Sequence, residues 1–260
     1  MGVLILIAIA TPVYILYRRK NAAKTHKTEK GLSLPPYLDT LALGLAHEIR
    51  NPLSTLSVNL QLLEEEIGDN TDAQRAAVRN RIQGLQRAVQ RLEEVVSDFL
   101  RFAHEERPKF AEYDVNKVVD EVIDFAAPEA QKNNIAIDRC YEHALPLISL
   151  DATLIKQALL NMIINAQQAM PEGGKLSIRT ARKNGWIQIE VADTGIGIHK
   201  SNFDKIFEVY FSTKKKGTGL GLPTVKRIIK DHGGTIFVES KEGKGSNFVV
   251  QLPLKGREVL

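Results

Sequence analysis

Two long apolar stripes at helical spacing constrain this chain more than any other feature. Leu41, Leu45, Ile49, Leu53, Leu56, Leu60, Leu63 and Ile67 recur three or four residues apart, and Val78, Ile82, Leu85, Val89, Leu92, Val96 and Phe99 alternate steps of four and three. The first is the stripe of a packed helix and the second a strict heptad seam. Gly68-Asp69-Asn70 stops the first helix and turns the chain, Thr71 or Asp72 can cap the second, and Pro108 closes it. Residues 38–108 therefore form a helical hairpin. Two antiparallel helices cannot cover both stripes, so the economical solution is two copies of the chain making a four-helix bundle. Pro52 removes one backbone hydrogen bond from the first helix and is expected to bend it.

That proline lies within Leu45-Ala-His-Glu-Ile-Arg-Asn-Pro-Leu53. His47 falls between the seam positions, Glu48 follows it, and Asn51 is one turn further along on the same face. A neutral imidazole is a nucleophile, and an adjacent carboxylate can hold one ring nitrogen and sharpen the other. The same residues also fit an ordinary polar surface patch, so the decision rests on the remainder of the chain.

Residues 2–17 are uncharged and almost wholly apolar, and Arg18-Arg19-Lys20 follows. Residues 1–20 are expected to be a membrane anchor, a little short of the roughly 20 apolar residues a spanning helix uses. Pro12 interrupts the run, Tyr14 and Tyr17 suit the interface, and the basic cluster would keep the later domains cytoplasmic. A signal peptide competes, but no positive charge precedes the apolar run. Residues 21–37 read as a linker. The 260 residues include 35 basic and 31 acidic ones, a dispersed +4 that gives no support to nucleic-acid binding. The lone Cys140 forms no internal disulfide, and the six histidines lack metal-ligand spacing, so the soluble part reads as cytosolic and zinc-free.

Beyond Pro108 the pattern alternates between strand and helix. Helices are expected over Val115–Asn133, Asp151–Met170 and Leu222–Asp231, the second capped by its aspartate. Strands are expected over Ile135–Tyr141, Leu147–Leu150, Lys175–Arg182, Trp186–Ala192, Thr235–Ser240 and Ser246–Leu252, with a hairpin at Asn184-Gly185. Residues 109–256 make an α+β sandwich, a mostly antiparallel sheet with helices on one face.

Chemistry gathers at three places in this domain. Asn161 and Asn165 are one turn apart on a helix whose core is expected from Leu159, Leu160, Met162, Ile163 and Ile164. Two such carboxamides suit a magnesium ion that bridges phosphates, or simply a solvent face. Asp193-Thr-Gly-Ile-Gly-Ile198 ends a strand, where glycines admit a ligand and Asp193 can accept from an adenine amino group, although an ordinary turn looks the same. Gly217-Thr-Gly-Leu-Gly-Leu222 opens a helix whose amides suit phosphate, but it comes too late for a dinucleotide fold.

In this order the elements resemble a sensor histidine kinase of two-component signalling, from about Leu38 to Leu254. Residues 45–53 resemble the phosphoacceptor box, closest to the nitrogen-regulation-like branch. Asn161–Asn165 match the N box, Asp193–Gly197 the first glycine box, Lys205–Phe211 with Phe207 the F box, Gly217–Gly221 the second glycine box and Gly243–Ser246 a final small turn. The resemblance implies a Bergerat-type ATP-binding domain with Mg2+. Asp193 would hold adenine and Asn161 and Asn165 the metal. Gly195, Gly197, Lys205, Phe207, Thr213, Lys214, Gly217, Thr218, Gly219, Leu220 and Gly221 would complete the nucleotide site under a lid between Ile198 and Gly217. It further implies phosphoryl transfer from ATP to His47 and on to an aspartate of a response regulator, in a homodimer, with phosphatase activity as the reverse function. Glu48 is expected to support the attack and Asn51 to hold water for the phosphatase step. Gln168 departs from the pattern, since many relatives carry a basic residue there, so phosphate charge must be met elsewhere; Lys205, Lys214, Lys215 and Lys216 are the available cations, although Lys214–Lys216 equally fit a solvated loop. No sensory domain is expected before the bundle and no receiver domain after the catalytic one. Rival readings are a serine kinase on the same ATP-binding fold, a degenerate scaffold, and a chaperone- or topoisomerase-like ATPase.

Overall fold

The computed structural model describes residues 36–66, 72–103, 108–214 and 217–254. The anchor, nearly all of the linker, the turn at Gly68–Asn70, Thr71, Lys215 and Lys216 lie outside them. Among the described residues no helix is long and apolar enough to cross a membrane.

Helices α1 (Pro36–Glu66) and α2 (Asp72–Ala103) form the expected hairpin. α1 begins at Pro36, two residues inside the expected linker's range, because proline is tolerated in a first turn whose amides have no helical partner. The helix runs through Pro52, which is buried.

Facing α1, α2 presents Gly84, Ala88 and Arg91, which line a cleft of about 1160 Å³ opposite Asn59, Pro52 and Glu48. A Cβ on Gly84 would come 3.2 Å from Asn59 Oδ1. Small residues thus admit polar side chains from across the hairpin, whereas much of the heptad seam turns outward. Ile82, Val89 and Val96 remain 44%, 45% and 37% exposed, and Val58 and Leu60 of α1 are 52% exposed.

The second domain follows as β1 (Ala111–Tyr113), α3 (Val115–Lys132), β2 (Ile135–Tyr141), β3 (Ile148–Leu150), α4 (Ala152–Gln168), β4 (Gly174–Lys183), β5 (Trp186–Asp193), a 3-10 turn Lys200–Asn202, α5 (Gly221–Asp231), β6 (Thr235–Lys241) and β7 (Gly245–Pro253). Five strands run in the order β2-β4-β5-β7-β6, with β2–β4 parallel and the other pairs antiparallel. The β4–β5 hairpin turns through Asn184 and Gly185 at φ 51° and 82°, as a two-residue turn with positive φ at both positions requires. β1 and β3 form a separate antiparallel pair. β1 is too short for periodicity to reveal.

Every second residue of β5 is buried, ending with Asp193. The buried face meets α3, α4 and α5 through Ile123, Ile155, Met162, Ile178, Val225 and Val250. One core expectation is corrected: Ile164 is 39% exposed. It lies three residues after Asn161 and four before Gln168, so helical geometry puts it beside the polar face of α4.

Candidate functional site

Asp193 closes β5 with only 7% of its surface exposed. Its Oδ1 accepts from the amides of Gly195 at 2.8 Å and Ser246 at 3.3 Å. No described residue donates to Oδ2, which leaves one oxygen for an external N–H. Burial pushes the carboxyl above its ordinary pKa, opposed by the two backbone donors and by Lys214.

The glycines around Asp193 lie close to the protein's own backbone. A Cβ on Gly195 would lie 2.3 Å from the Ala169 carbonyl oxygen, one on Gly197 2.2 Å from that of Lys241, and one on Gly245 1.9 Å from that of Asp193. They admit the protein's own backbone and fix the carboxylate between two strands. Gly221 is the open one, its nearest neighbour being Asn165 Nδ2 at 3.8 Å.

α4 carries the two asparagines. Asn161 Nδ2 donates to the Gly221 carbonyl at 3.4 Å, which ties the N box to the second glycine box. Asn165 Oδ1 accepts from the Lys214 ammonium at 3.1 Å, and Gln168 Oε1 accepts from the same group at 2.9 Å. The Lys214 ammonium thus reaches across to both amide side chains of α4. Burial pushes Lys214 down to about 8, with Asp193 pulling the other way. Lys205 is exposed, and no hydrogen bond or ion pair joins its side chain to these groups among the described residues. Thr213 is exposed, while Phe207 packs on the core with Lys226 Nζ 5.5 Å from its ring centroid.

The start of α4 depends on a histidine the sequence did not single out. Asp151 caps the helix through Thr153 and Leu154, and its own amide donates to His232 Nε2 at 3.0 Å. His232 Nδ1 lies 2.7 Å from the Ile228 carbonyl. A carbonyl only accepts and an amide only donates, so the ring is neutral with its proton on Nδ1. Burial lowers its pKa from the ordinary 6.5, opposed by the Ile228 carbonyl and by Asp151 and Asp231.

A depressed histidine pKa means that the unfolded chain binds the proton more tightly, so this stabilisation is present above about pH 6.5 and lost as pH falls toward the folded value. The thermal midpoint of the chain should decline between pH 7.5 and 5.5, and His232→Gln should start lower and decline less. Equal slopes for the two proteins would show that His232 is not buried in its neutral form.

In the hairpin, the Glu48 carboxylate meets Arg91 Nη2 at 3.4 Å. Asn51 is exposed, and its carbonyl accepts from Thr55 Oγ1 at 3.1 Å. Thr218, expected at the nucleotide, donates its hydroxyl to Asp98 of α2 at 2.9 Å. Tyr210 packs against Gly44, and burial pushes its hydroxyl up to about 12, with Glu48 adding to the rise. Arg91 and Asp98 were not anticipated, and Tyr210 was quoted only within the Lys205–Phe211 box without its contact to α1, because contacts between a helix and a distant loop leave no periodic trace. Ser246 had a signal in the Gly243–Ser246 turn.

Two family models match the chain. The His Kinase A (phospho-acceptor) domain covers residues 37–108, and the histidine kinase-, DNA gyrase B-, and HSP90-like ATPase covers residues 150–256. The chain is 36% identical over 217 residues to the sensor histidine kinase ZraS of Escherichia coli, covering 84% of this chain and 46% of that protein. It is 35% identical over 216 residues to sporulation kinase C of Bacillus subtilis, covering 83% and 49%. It thus spans about half the length of these relatives. Among solved structures, the catalytic domain of histidine kinase ThkA is 32% identical with a TM-score of 0.53, covering 56% of this chain and 97% of that one. ThkA in complex with the response regulator protein TrrA is 26% identical with a TM-score of 0.65, covering 84% and 62%.

Proposed function

The chain belongs to the sensor histidine kinases of two-component signalling, and from that premise we propose that it phosphorylates itself on His47 from ATP and passes the group to an aspartate of a response regulator. The observation that carries this reading is the polar grouping of Asp193, Asn165, Gln168 and Lys214 at the end of β5 and on α4. There a buried carboxylate keeps one oxygen open, and a lysine ammonium lies on the Asn165 carbonyl oxygen. An oxygen that already receives a cation fits a divalent one, so Asn165, with Asn161 beside it, would hold magnesium, which supplies charge neutralisation at the phosphates. Asp193 selects adenine through its open oxygen. Lys214, displaced from Asn165, becomes a phosphate ligand in place of a basic residue at 168.

In the transfer step a neutral imidazole nitrogen of His47 attacks the γ-phosphorus. The N–P bond forms as the bridge to the β-phosphate oxygen breaks, and ADP leaves. Glu48, oriented by Arg91, holds the proton of the other ring nitrogen. Asn51, exposed one turn on, is assigned to the opposing phosphatase step as the group that places water. The solved ThkA–TrrA complex supports a response regulator as partner.

A homodimer through the outward seam is supported by Ile82, Val89 and Val96 and by the apolar residues of α1 left uncovered in one chain. Attachment to a membrane through residues 2–17 is supported by their apolar run. A serine kinase on the same fold would leave His47 without a task.

Incubation with γ-labelled ATP is the test. Label is expected on the protein, lost in acid and stable in base, in a species that light scattering gives at twice the chain mass. Acid-stable label would point to serine, and a monomer at micromolar concentration would remove the bundle.

A further inference from the structure

Gly44 stands in α1 three residues before His47, at an interior helical position where glycine is less favourable than any residue but proline. Its neighbour accounts for it. A Cβ built there would lie 2.1 Å from Cδ2 and 2.3 Å from Cε2 of the Tyr210 ring. The aromatic ring rests on helix backbone, and alanine would already be too large.

Tyr210 is held in that place by the second glycine box. Its φ of 65° is in the left-handed region, which non-glycine residues seldom adopt. Its amide donates to the Gly219 carbonyl at 3.0 Å, and a Cβ on Gly219 would come 2.4 Å from the Tyr210 carbonyl carbon. The adjacent Thr218 hydroxyl donates to Asp98 at 2.9 Å. Through Tyr210 and Thr218, the loop assigned to the nucleotide therefore touches both helices of the hairpin.

We propose that Tyr210 is a positioning residue for phosphoryl transfer: its ring, fixed by Gly219 and seated on the bare backbone of Gly44, sets the helix carrying His47 against the γ-phosphate. The inference rests on the autophosphorylation reading. It concerns the alignment of donor and acceptor, not the binding of either, and misplacement of about 1 Å can reduce a transfer rate on the order of a hundredfold.

The experiment uses the full chain and measures three quantities: labelling rate at saturating ATP, KM for ATP, and thermal midpoint. Gly44→Ala should lower the rate about a hundredfold, leave KM within about twofold, and leave the midpoint equal or higher, because alanine is the better helix former. Tyr210→Phe keeps the ring but removes the hydroxyl that bonds the Leu45 backbone, so its rate should fall between those of the wild type and Tyr210→Ala. Tyr210→Ala should lower it, and Gly44→Ala added to Tyr210→Ala should cause no further loss, since nothing remains to collide. Wild-type labelling in Gly44→Ala, a full additional loss in the double variant, or a parallel rise in KM would each overturn the proposal. An unlabelled wild-type chain would instead refute autophosphorylation itself, so the two failures are distinct.

Discussion

His47→Ala is expected to reduce labelling from ATP to background, a fall of at least about a thousandfold, because no neighbouring group replaces a lost nucleophile. Nucleotide affinity should stay within about twofold, since Asp193, Asn165 and Lys214 belong to β5, α4 and the loop before α5, outside the hairpin that carries His47. Folding should survive too. Position 47 is interior to α1, and alanine is the most favourable helical residue. Equilibrium binding of a fluorescent ATP analogue, measured beside labelling, checks both halves. Label persisting at half the wild-type rate would place the acceptor elsewhere, whereas joint loss of label and binding would show that His47 supports the fold.

Much of this molecule was legible in its sequence, for reasons particular residues make plain. The strands and helices after Pro108 were found because Asp151 caps α4 and Asn184-Gly185 closes a two-residue hairpin, both local signals. The five boxes could be read at all because each is a short contiguous run. What escaped was non-local. Periodicity marked Ile82, Val89 and Val96 as a seam but gave no sign that the hairpin turns Gly84, Ala88 and Arg91 inward and leaves those three outward. The resemblance to the family marked Gln168 as a missing charge, but not that Lys214, forty-six residues later, would reach it. At Gly195, Gly197 and Gly245 a side chain would meet Ala169, Lys241 and the Asp193 carbonyl, neighbours that only the folded chain brings near.

Asp193→Asn is expected to remove ATP binding while leaving the fold intact. The carboxamide oxygen can keep both backbone donors, Gly195 and Ser246, and the new NH2 then occupies the position of Oδ2. There a donor faces the adenine amino group, another donor, so a charge-assisted acceptor is lost and repulsion between two N–H groups takes its place. Together these cost about 3–5 kcal/mol, roughly a hundred- to several-thousandfold in affinity. Stability should move the other way. Burial holds the Asp193 carboxyl above its ordinary pKa, so its charge is unfavourable in the folded domain, and a neutral side chain relieves that at pH 7. The thermal midpoint of the variant should match or exceed the wild type. A nucleotide with a carbonyl where adenine has its amino group separates direct recognition from general damage: ITP offers an acceptor to the asparagine NH2, and the ratio of ATP to ITP affinity should reverse between wild type and variant. Calorimetric titration with both nucleotides reads that ratio, and an unchanged preference for ATP would remove Asp193 from the adenine edge.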